Sequence, residues 1–174
     1  LKKLLAVSII IYAAIGYAVT KDCGVTKLPT SGPPQQWNYR TNWPNEDAIL
    51  DAVWGGDGNL YAGGYTTVGS QKNFLILSLD PSGNLRWSRI FNGSVSQNDE
   101  CTAIAYGGGY VYGAGYQTIS GYGKDICVIK LSTSGSVQWT YLTNWQYDDV
   151  GYDIIYGGDG NLYIGGYSGG NGGT

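Results

Sequence analysis

The sequence predicts an all-β protein, a partial β-propeller of about three four-stranded antiparallel blades preceded by an N-terminal signal helix. Of its 174 residues, 29 are glycine, interleaved with 16 tyrosines and 6 tryptophans, which is typical of short strands joined by tight turns. One pattern recurs at a spacing of 51 residues, as Tyr61, Tyr112 and Tyr163 illustrate. Four-stranded units repeated in tandem at about 40–50 residues are typical of propeller blades.

Residues 1–18 predict a signal peptide. Lys2 and Lys3 precede an apolar run that reaches about Val19, and small residues close it, as in a secretory signal cleaved before Val19. A retained membrane anchor is the alternative, although the run is shorter than the ~20 residues that a spanning helix needs. We therefore expect a secreted or cell-surface protein. Because the chain opens with Leu1, we expect either a non-standard start codon or an incomplete record at this end.

Residues 19–36 predict either a linker or a half-blade strand. The stretch 21–32 resembles 124–135, and the stretch 37–43 parallels 139–145. A half-blade here would supply strands three and four of a blade. Proline interrupts sheet ladders and so counts against strands in this segment, which contains Pro29, Pro33 and Pro34.

Residues 37–174 predict the propeller repeats, with blades at about 47–93, 98–145 and 149–174, the last one incomplete. Alternating and continuous apolar runs predict the strands of each blade. In the first blade these are strand one at about 48–54, strand two from Asn59 to about Thr67, strand three at 74–79 and strand four from about Asn84.

Two turns of the blade follow from their residue types. The turn at 55–58 contains Gly-Gly and Asp-Gly, which tolerate the positive φ that hairpin turns require. The turn at 80–83 has proline where its fixed φ is suitable. Aromatic residues that recur in register around these turns are expected to form the repeat core: Trp54, Tyr61, Tyr65, Trp87, Tyr106, Tyr112, Tyr116, Trp139, Tyr156, Tyr163 and Tyr167.

Two strand motifs alternate along the repeats, Gly-Asn-Leu-Tyr-x-Gly-Gly-Tyr-Thr and Leu-Asp-x-x-Gly-Asn-x-x-Trp-Ser. The matching segments are 58–66 with 79–88, 109–118 with 131–140, and 160–168. This pairing resembles the secreted β-propeller repeat family often called SBBP, the seven-bladed β-propeller repeat. The resemblance implies a blade fold and an extracellular or surface setting for about residues 37–174. It implies no reaction, since the family is defined by its repeats.

Three blades are fewer than the 4–8 of typical closed propellers. The third copy stops at Thr174, before its third strand. One explanation, which we favour, is a truncated reading frame. The other is closure by oligomerisation, for instance with two copies making six blades.

Composition and motifs argue against several function classes. The chain has no histidine, which excludes a Ser-His-Asp triad and imidazole metal ligands. Its net charge of −3 argues against nucleic-acid binding. The loop 55–59 lacks the further acidic ligands of a calcium loop, and 107–109 lacks the Lys-Ser/Thr of a phosphate-binding loop. We expect neither metal nor cofactor, and we expect Trp87 to pack between blades rather than to mark a quinone site.

Acidic residues recur just before strand one, and propeller loops gather on one face of the disc. These carboxylates either converge as a cation or sugar site or remain solvated and cap turns. Nearby aromatic residues, among them Tyr147, either stack on glycans or pack as aromatics in strands usually do. The candidate ligand-face residues are Trp43, Glu46, Asp47, Asp99, Glu100, Trp145, Asp148 and Asp149.

Two further features concern single side chains. Asn92 begins an Asn-Gly-Ser glycosylation sequon on a predicted turn. Three cysteines leave one unpaired in any disulfide framework. Cys101 and Cys127 are expected on the first and third strands of one blade, about 9.6 Å apart and beyond disulfide reach, so we expect free, partly buried thiols.

The sequence therefore predicts an exported β-propeller repeat protein, a fragment of a longer one, that serves as a surface binding, adhesion or structural module. Its expected partner is an extracellular glycan or protein, and it forms a homo-oligomer if the chain is complete. One alternative is a propeller enzyme, a lyase or hydrolase using loop carboxylates, whose separation only a structure provides. Another is a subunit of an extracellular assembly closed by strand pairing between chains.

Overall fold

The computed structural model describes residues 22–32, 34–41, 43–93 and 97–170, and it confirms the all-β class. No helix occurs in these ranges, and the predicted signal helix at 1–18 lies outside them. The described strands are β1 (Gly24–Lys27), β2 (Trp37–Arg40), β3 (Asp47–Trp54), β4 (Leu60–Val68), β5 (Gln71–Leu79), β6 (Leu85–Phe91), β7 (Glu100–Gly107), β8 (Tyr110–Ile119), β9 (Gly123–Ser132), β10 (Val137–Leu142), β11 (Asp149–Tyr156) and β12 (Leu162–Ser168).

The strands form four antiparallel sheets, each joined in chain order. Strands β3 to β6 make blade 1 and β7 to β10 make blade 2, each a four-stranded meander as predicted. Strands β1 and β2 form a two-stranded sheet, here named the N-terminal half-blade, and β11 and β12 form the C-terminal half-blade. Pro29 and Pro34 lie outside β1 and β2, so these strands pair without a proline in the ladder.

The N-terminal half-blade has the pairing of strands three and four. Lys27 of β1 lies opposite Trp37 of β2, as Lys130 of β9 lies opposite Trp139 of β10. The C-terminal half-blade has the pairing of strands one and two, with the same bulge as in β3 and β7. The described chain therefore contains two complete blades flanked by two different halves.

Strand one carries a β-bulge at the same place in every copy, at Leu50, Thr102 and Tyr152. Opposite each bulge, a glycine of strand two brings the two backbones close together. A Cβ atom added to Gly115 would lie 1.9 Å from the carbonyl oxygen of Glu100. This contact explains why the repeat has glycine at Gly64, Gly115 and Gly166.

The sheets pack face to face through stacked tyrosines. Tyr61 of blade 1 stacks on Tyr106 of blade 2, with ring centroids 5.7 Å apart. Tyr112 of blade 2 stacks in the same way on Tyr156 of the C-terminal half-blade, at 5.9 Å. The first pair adjoins a buried apolar cluster to which β4, β5, β7, β8 and β9 contribute. Burial of this apolar surface is the main term that holds successive sheets together.

At two junctions, a tryptophan of strand four binds a turn of the next sheet. Trp37 Nε1 donates to the carbonyl oxygen of Pro81 at 3.0 Å, and Trp87 Nε1 donates to that of Thr133 at 2.9 Å. The Trp87 ring also covers Gly135, where an added Cβ would lie 2.8 Å from the ring. The turn therefore needs glycine because the tryptophan of the preceding sheet lies against it.

The residues predicted to form the repeat core divide into two groups. Seven are buried or half-buried: Tyr61, Tyr65, Trp87, Tyr106, Tyr112, Tyr116 and Tyr156. Four are exposed by 36, 40, 53 and 53%: Trp54, Trp139, Tyr163 and Tyr167. Tyr163 and Tyr167 lie in the C-terminal half-blade, on which no further described sheet packs. Trp54 and Trp139 adjoin half-blades that lack the strands on which their equivalents in the other repeats pack.

The three cysteines are free and buried, so Cys101 and Cys127 are unpaired as predicted, although they are fully rather than partly buried. Burial raises the pKa of Cys23 to about 11 and that of Cys127 to about 12, and it raises the pKa of Cys101 well above its ordinary value.

Because the thiolate is the nucleophile, we expect no thiol to react with a disulfide reagent at about pH 8 in the native protein and all three to react in denaturant. A single fast native thiol would contradict this expectation.

Candidate functional site

Three aspartates occupy equivalent positions at the entry to strand one: Asp47, Asp99 and Asp149. Their exposures are only 2, 0 and 0%. The register places Glu100 opposite Tyr116, where blade 1 has Ala48 opposite Tyr65. Glu100 is therefore not part of the recurring acidic position, which Asp99 occupies in blade 2.

Two of the three buried aspartates, Asp99 and Asp47, accept hydrogen bonds from backbone or side-chain groups, whereas neither carboxylate oxygen of Asp149 has a partner among the described residues. Asp99 accepts hydrogen bonds from Gly93 N at 2.7 Å and from Thr118 N at 2.8 Å. Asp47 accepts one from Thr41 Oγ1 at 3.4 Å. Burial raises the pKa of both carboxyl groups. Asp99 thus joins strand two of its own blade to the end of the preceding blade.

Asp125, at the start of β9, is a fourth buried aspartate. It lies close enough to Asp149 of the following sheet for their charges to interact. Asp125 is 2% exposed and accepts a hydrogen bond from Thr143 Oγ1 at 3.4 Å. Burial raises its pKa, and the charge of Asp149 adds to the effect. Blade 1 has the uncharged Asn73 at the equivalent position, so only the second of these two blade junctions brings two carboxyl groups together.

We expect Asp125→Asn to stabilise the fold at pH 7 by up to about 1 kcal/mol, because it removes a charge that is buried beside Asp149. A carboxyl whose folded pKa is raised contributes stability below its unfolded pKa, near 4, and loses that contribution as the pH rises through the folded value. The difference between variant and wild type should therefore vanish near pH 4. Urea unfolding at pH 7 and pH 4 measures the difference in the free energy of unfolding between variant and wild type. A difference that is the same at both pH values would contradict the interaction between Asp125 and Asp149.

The two glutamates of the predicted ligand face are held by neighbouring side chains. Tyr65 donates its hydroxyl hydrogen bond to Glu46 Oε1 at 2.7 Å. Lys72 Nζ lies 2.6 Å from Glu100 Oε1 and 3.9 Å from the centroid of the Tyr65 ring. Burial and the Glu46 carboxylate raise the pKa of Tyr65. These contacts link β4 and β5 to the entries of β3 and β7, and Lys72 is a contributor that sequence reasoning missed.

A polar depression of about 430 Å³ lies where the loops before strand one meet those between strands two and three. Its lining contains amide, hydroxyl, ammonium and carboxylate groups, which suit hydrogen bonding to a polar ligand. The lining residues are Ser70, Gln71, Gln97, Asn98, Thr118, Gly123, Lys124 and Asp148. Of these, only Asp148 was among the predicted ligand-face residues.

Three exposed aromatic side chains belong to the loops beside this depression. Tyr122, Trp145 and Tyr147 are 52, 52 and 54% exposed, and the first and third immediately precede the lining residues Gly123 and Asp148. Sequence reasoning selected Trp145 and Tyr147 but missed Tyr122, whose only signal was its place between two loop glycines.

The loop between β10 and β11, which carries Trp145 and Tyr147, also has unusual backbone geometry. Asn144 and Tyr147, with φ of 61° and 83°, are the non-glycine residues in the left-handed region within the described ranges. Such conformations cost free energy and tend to occur at functional sites. Asp148 Oδ1 accepts a hydrogen bond from Lys124 N at 2.9 Å, which fastens this loop to β9.

The remaining predicted positions lie apart from the depression. Trp43 is half-buried and packs against the apolar cluster shared by the N-terminal half-blade and blade 1. Asn92 is exposed just after β6, while Ser94 of its sequon lies outside the described residues. Asp57 accepts hydrogen bonds from Asn59 and Tyr61, so its loop is a hairpin whose carboxylate is already engaged.

The described part of the chain shows neither a metal-binding cluster nor a membrane-spanning helix, and the sequence has no match among family models or curated proteins. No group of three or more His, Cys, Asp or Glu residues that could hold a metal ion occurs in the described ranges. Those ranges likewise contain no helix that is long and apolar enough to cross a membrane. No family model matches the sequence, and no curated protein matches it.

Proposed function

We propose that this chain is an exported β-propeller repeat module that binds a polar extracellular ligand, with a glycan as the favoured class, on the loop face that carries the depression. Export follows from the signal-like pattern of residues 1–18 and accords with the resemblance to SBBP repeats. The module acts in surface binding or adhesion rather than in a reaction.

One observation carries the proposal: exposed aromatic rings adjoin a polar depression on one loop face. Carbohydrate ligands present both apolar C–H faces, which stack on aromatic rings, and hydroxyl groups, which bind amides and carboxylates. Trp145 and Tyr147 provide the first kind of contact, and Asn98, Gln97 and Asp148 provide the second. The positive φ of Tyr147 is a strained conformation, and strain of this kind tends to occur where a loop is shaped for binding.

The enzyme alternative has less support from the same geometry. Asp47, Asp99 and Asp149 are buried, and Glu46 and Glu100 already bind Tyr65 and Lys72. Glycoside hydrolysis needs two carboxyl groups that flank a bound substrate. We therefore propose ligand binding ahead of a lyase or hydrolase activity.

Trp145→Ala and Tyr147→Ala are each expected to weaken glycan binding at least 10-fold, equivalent to about 1.4 kcal/mol. The full chain is first screened on a glycan array, and titration calorimetry then measures the affinity of the best ligand. Tyr152→Ala is the matched control, since Tyr152 is 61% exposed but lies on β11. Absence of any array signal, or equal losses in all three variants, would contradict the proposal.

A further inference from the structure

The two half-blades expose complementary sheet edges. In the described part of the chain, β1 is paired only with β2, and β12 only with β11. The N-terminal half-blade supplies strands three and four of a blade, whereas the C-terminal half-blade supplies strands one and two. We propose that a second copy of this chain docks here, so that β12 of one copy pairs with β1 of the next and completes a four-stranded blade. This proposal is independent of the proposed ligand site.

The pairing of β8 with β9 defines the register expected between copies. In blade 2, Val111 lies opposite Leu131, Tyr112 opposite Lys130 and Tyr116 opposite Ile126. In the repeat, β12 is equivalent to β8, and the segment around β1 is equivalent to β9. The same pairs between two copies therefore set Leu162 opposite Leu28, Tyr163 opposite Lys27, and Tyr167 opposite Cys23. Tyrosine faces lysine as within blade 2, and leucine faces leucine where blade 2 has valine opposite leucine.

The strand-four tryptophan and its turn provide a second complementary contact. Trp139 is 40% exposed, although its equivalents Trp37 and Trp87 lie on the turn of the following blade. Gly32 has the same place in its turn as Gly135, yet no atom of the described residues lies within 4 Å of a Cβ added to it. Trp139 of one copy therefore covers Gly32 of the next, and its Nε1 donates to the carbonyl group of Thr30.

The stacked tyrosines provide a third contact. Tyr163 is 53% exposed, although Tyr61 and Tyr112 at the same position stack on the last ring of the next strand one. Trp54 is 36% exposed and has the same register position in β3 as Tyr106 has in β7. Tyr163 of one copy therefore stacks on Trp54 of the next. All three contacts have a precedent inside the chain.

A second copy is the occupant that offers both complementary edges in one chain. Free sheet edges promote aggregation, and head-to-tail pairing between copies covers them in the described part of the chain.

Cysteine cross-linking tests the register. The variant Thr26→Cys/Ile164→Cys places thiols at positions that the proposed pairing sets directly opposite each other in neighbouring copies, as Gly113 faces Ile129 in blade 2. Under mild oxidation we expect a covalent dimer in non-reducing electrophoresis. The matched control is Thr26→Cys/Tyr163→Cys, shifted by one residue and hence onto the other sheet face. Equal cross-linking of both variants, or of neither, would overturn the register.

Light scattering of the full chain tests the association itself. We expect a concentration-dependent mass that approaches twice the 18.6 kDa of one chain. Trp139→Ala should raise the dissociation constant at least 10-fold, whereas Tyr122→Ala, on the loop face, should leave it unchanged. A monomeric mass at all concentrations up to about 100 μM, or association that Trp139→Ala does not weaken, would overturn the proposal.

Discussion

Replacing Trp87 by alanine is expected to lower the free energy of unfolding by roughly 3 kcal/mol. The ring covers Gly135 and lies 5.9 Å, centroid to centroid, from Tyr61, while its Nε1 donates to Thr133 O at 2.9 Å. Alanine leaves a cavity between blades 1 and 2 and removes one of the two hydrogen bonds that the Thr133 carbonyl group accepts, the other coming from Arg86. Denaturant unfolding measured by tyrosine and tryptophan fluorescence gives the loss.

Trp139→Ala is the matched control for Trp87→Ala. Trp139 has the same place in strand four but is 40% exposed, because the C-terminal half-blade that follows blade 2 contains no described turn between strands three and four. The expected loss is about 1 kcal/mol or less, measured at concentrations at which light scattering shows a monomer. Equal losses in the two variants would show that the tryptophan stabilises its own blade rather than the junction between blades.

The second large effect is expected for Gly115→Ala, at roughly 3 kcal/mol or more of lost stability. The new Cβ would lie 1.9 Å from the carbonyl oxygen of Glu100 and 2.9 Å from its carbon. Both atoms belong to the backbone at the β-bulge of β7, so relief requires the two strands to separate. Thermal unfolding followed by circular dichroism at about 215 nm provides the measurement.

Gly165→Ala is the control for this substitution. Gly165 also lies in strand two, in the C-terminal half-blade, but nothing lies within 4 Å of a Cβ added there. We expect a change of no more than about 0.5 kcal/mol. If Gly165→Ala proved as damaging as Gly115→Ala, the cost would come from the loss of glycine in strands generally rather than from the close approach at the bulge.

The strand pattern was predictable because its causes are local. Alternating apolar residues, Gly-Gly and Asp-Gly turns, and an exact 51-residue spacing of tyrosines define four strands per repeat without reference to distant residues. The structure follows these limits closely in β4, whereas β5 begins at Gln71, three residues before the predicted start. The half-blade at β1 and β2 was less certain from sequence, because prolines mark its loops and only the pairing shows that they lie outside the strands.

The candidate site was only partly predictable, because it depends on register and on neighbouring blades. A hairpin loop one residue shorter in blade 2 shifts the recurring acid to Asp99 and leaves Glu100 beside Lys72. The burial of Asp47 and Asp149 follows from the sheet that packs on each, which no local pattern encodes. Tyr122, Asn98 and the depression emerge only where loops from different blades meet.

By itself, the sequence determined the all-β class, the four-stranded repeat, the hairpin turns and the absence of a histidine-based mechanism, because these depend on residue type and spacing along one chain. The tertiary structure alone decided which repeated residues are buried. Tyr61 is covered by blade 2, whereas Tyr163, with the same neighbours in sequence, is exposed because no described sheet packs on it. Burial in a stacked-sheet protein is a property of the junction between two repeats, and a single repeat does not contain the partner surface that creates it.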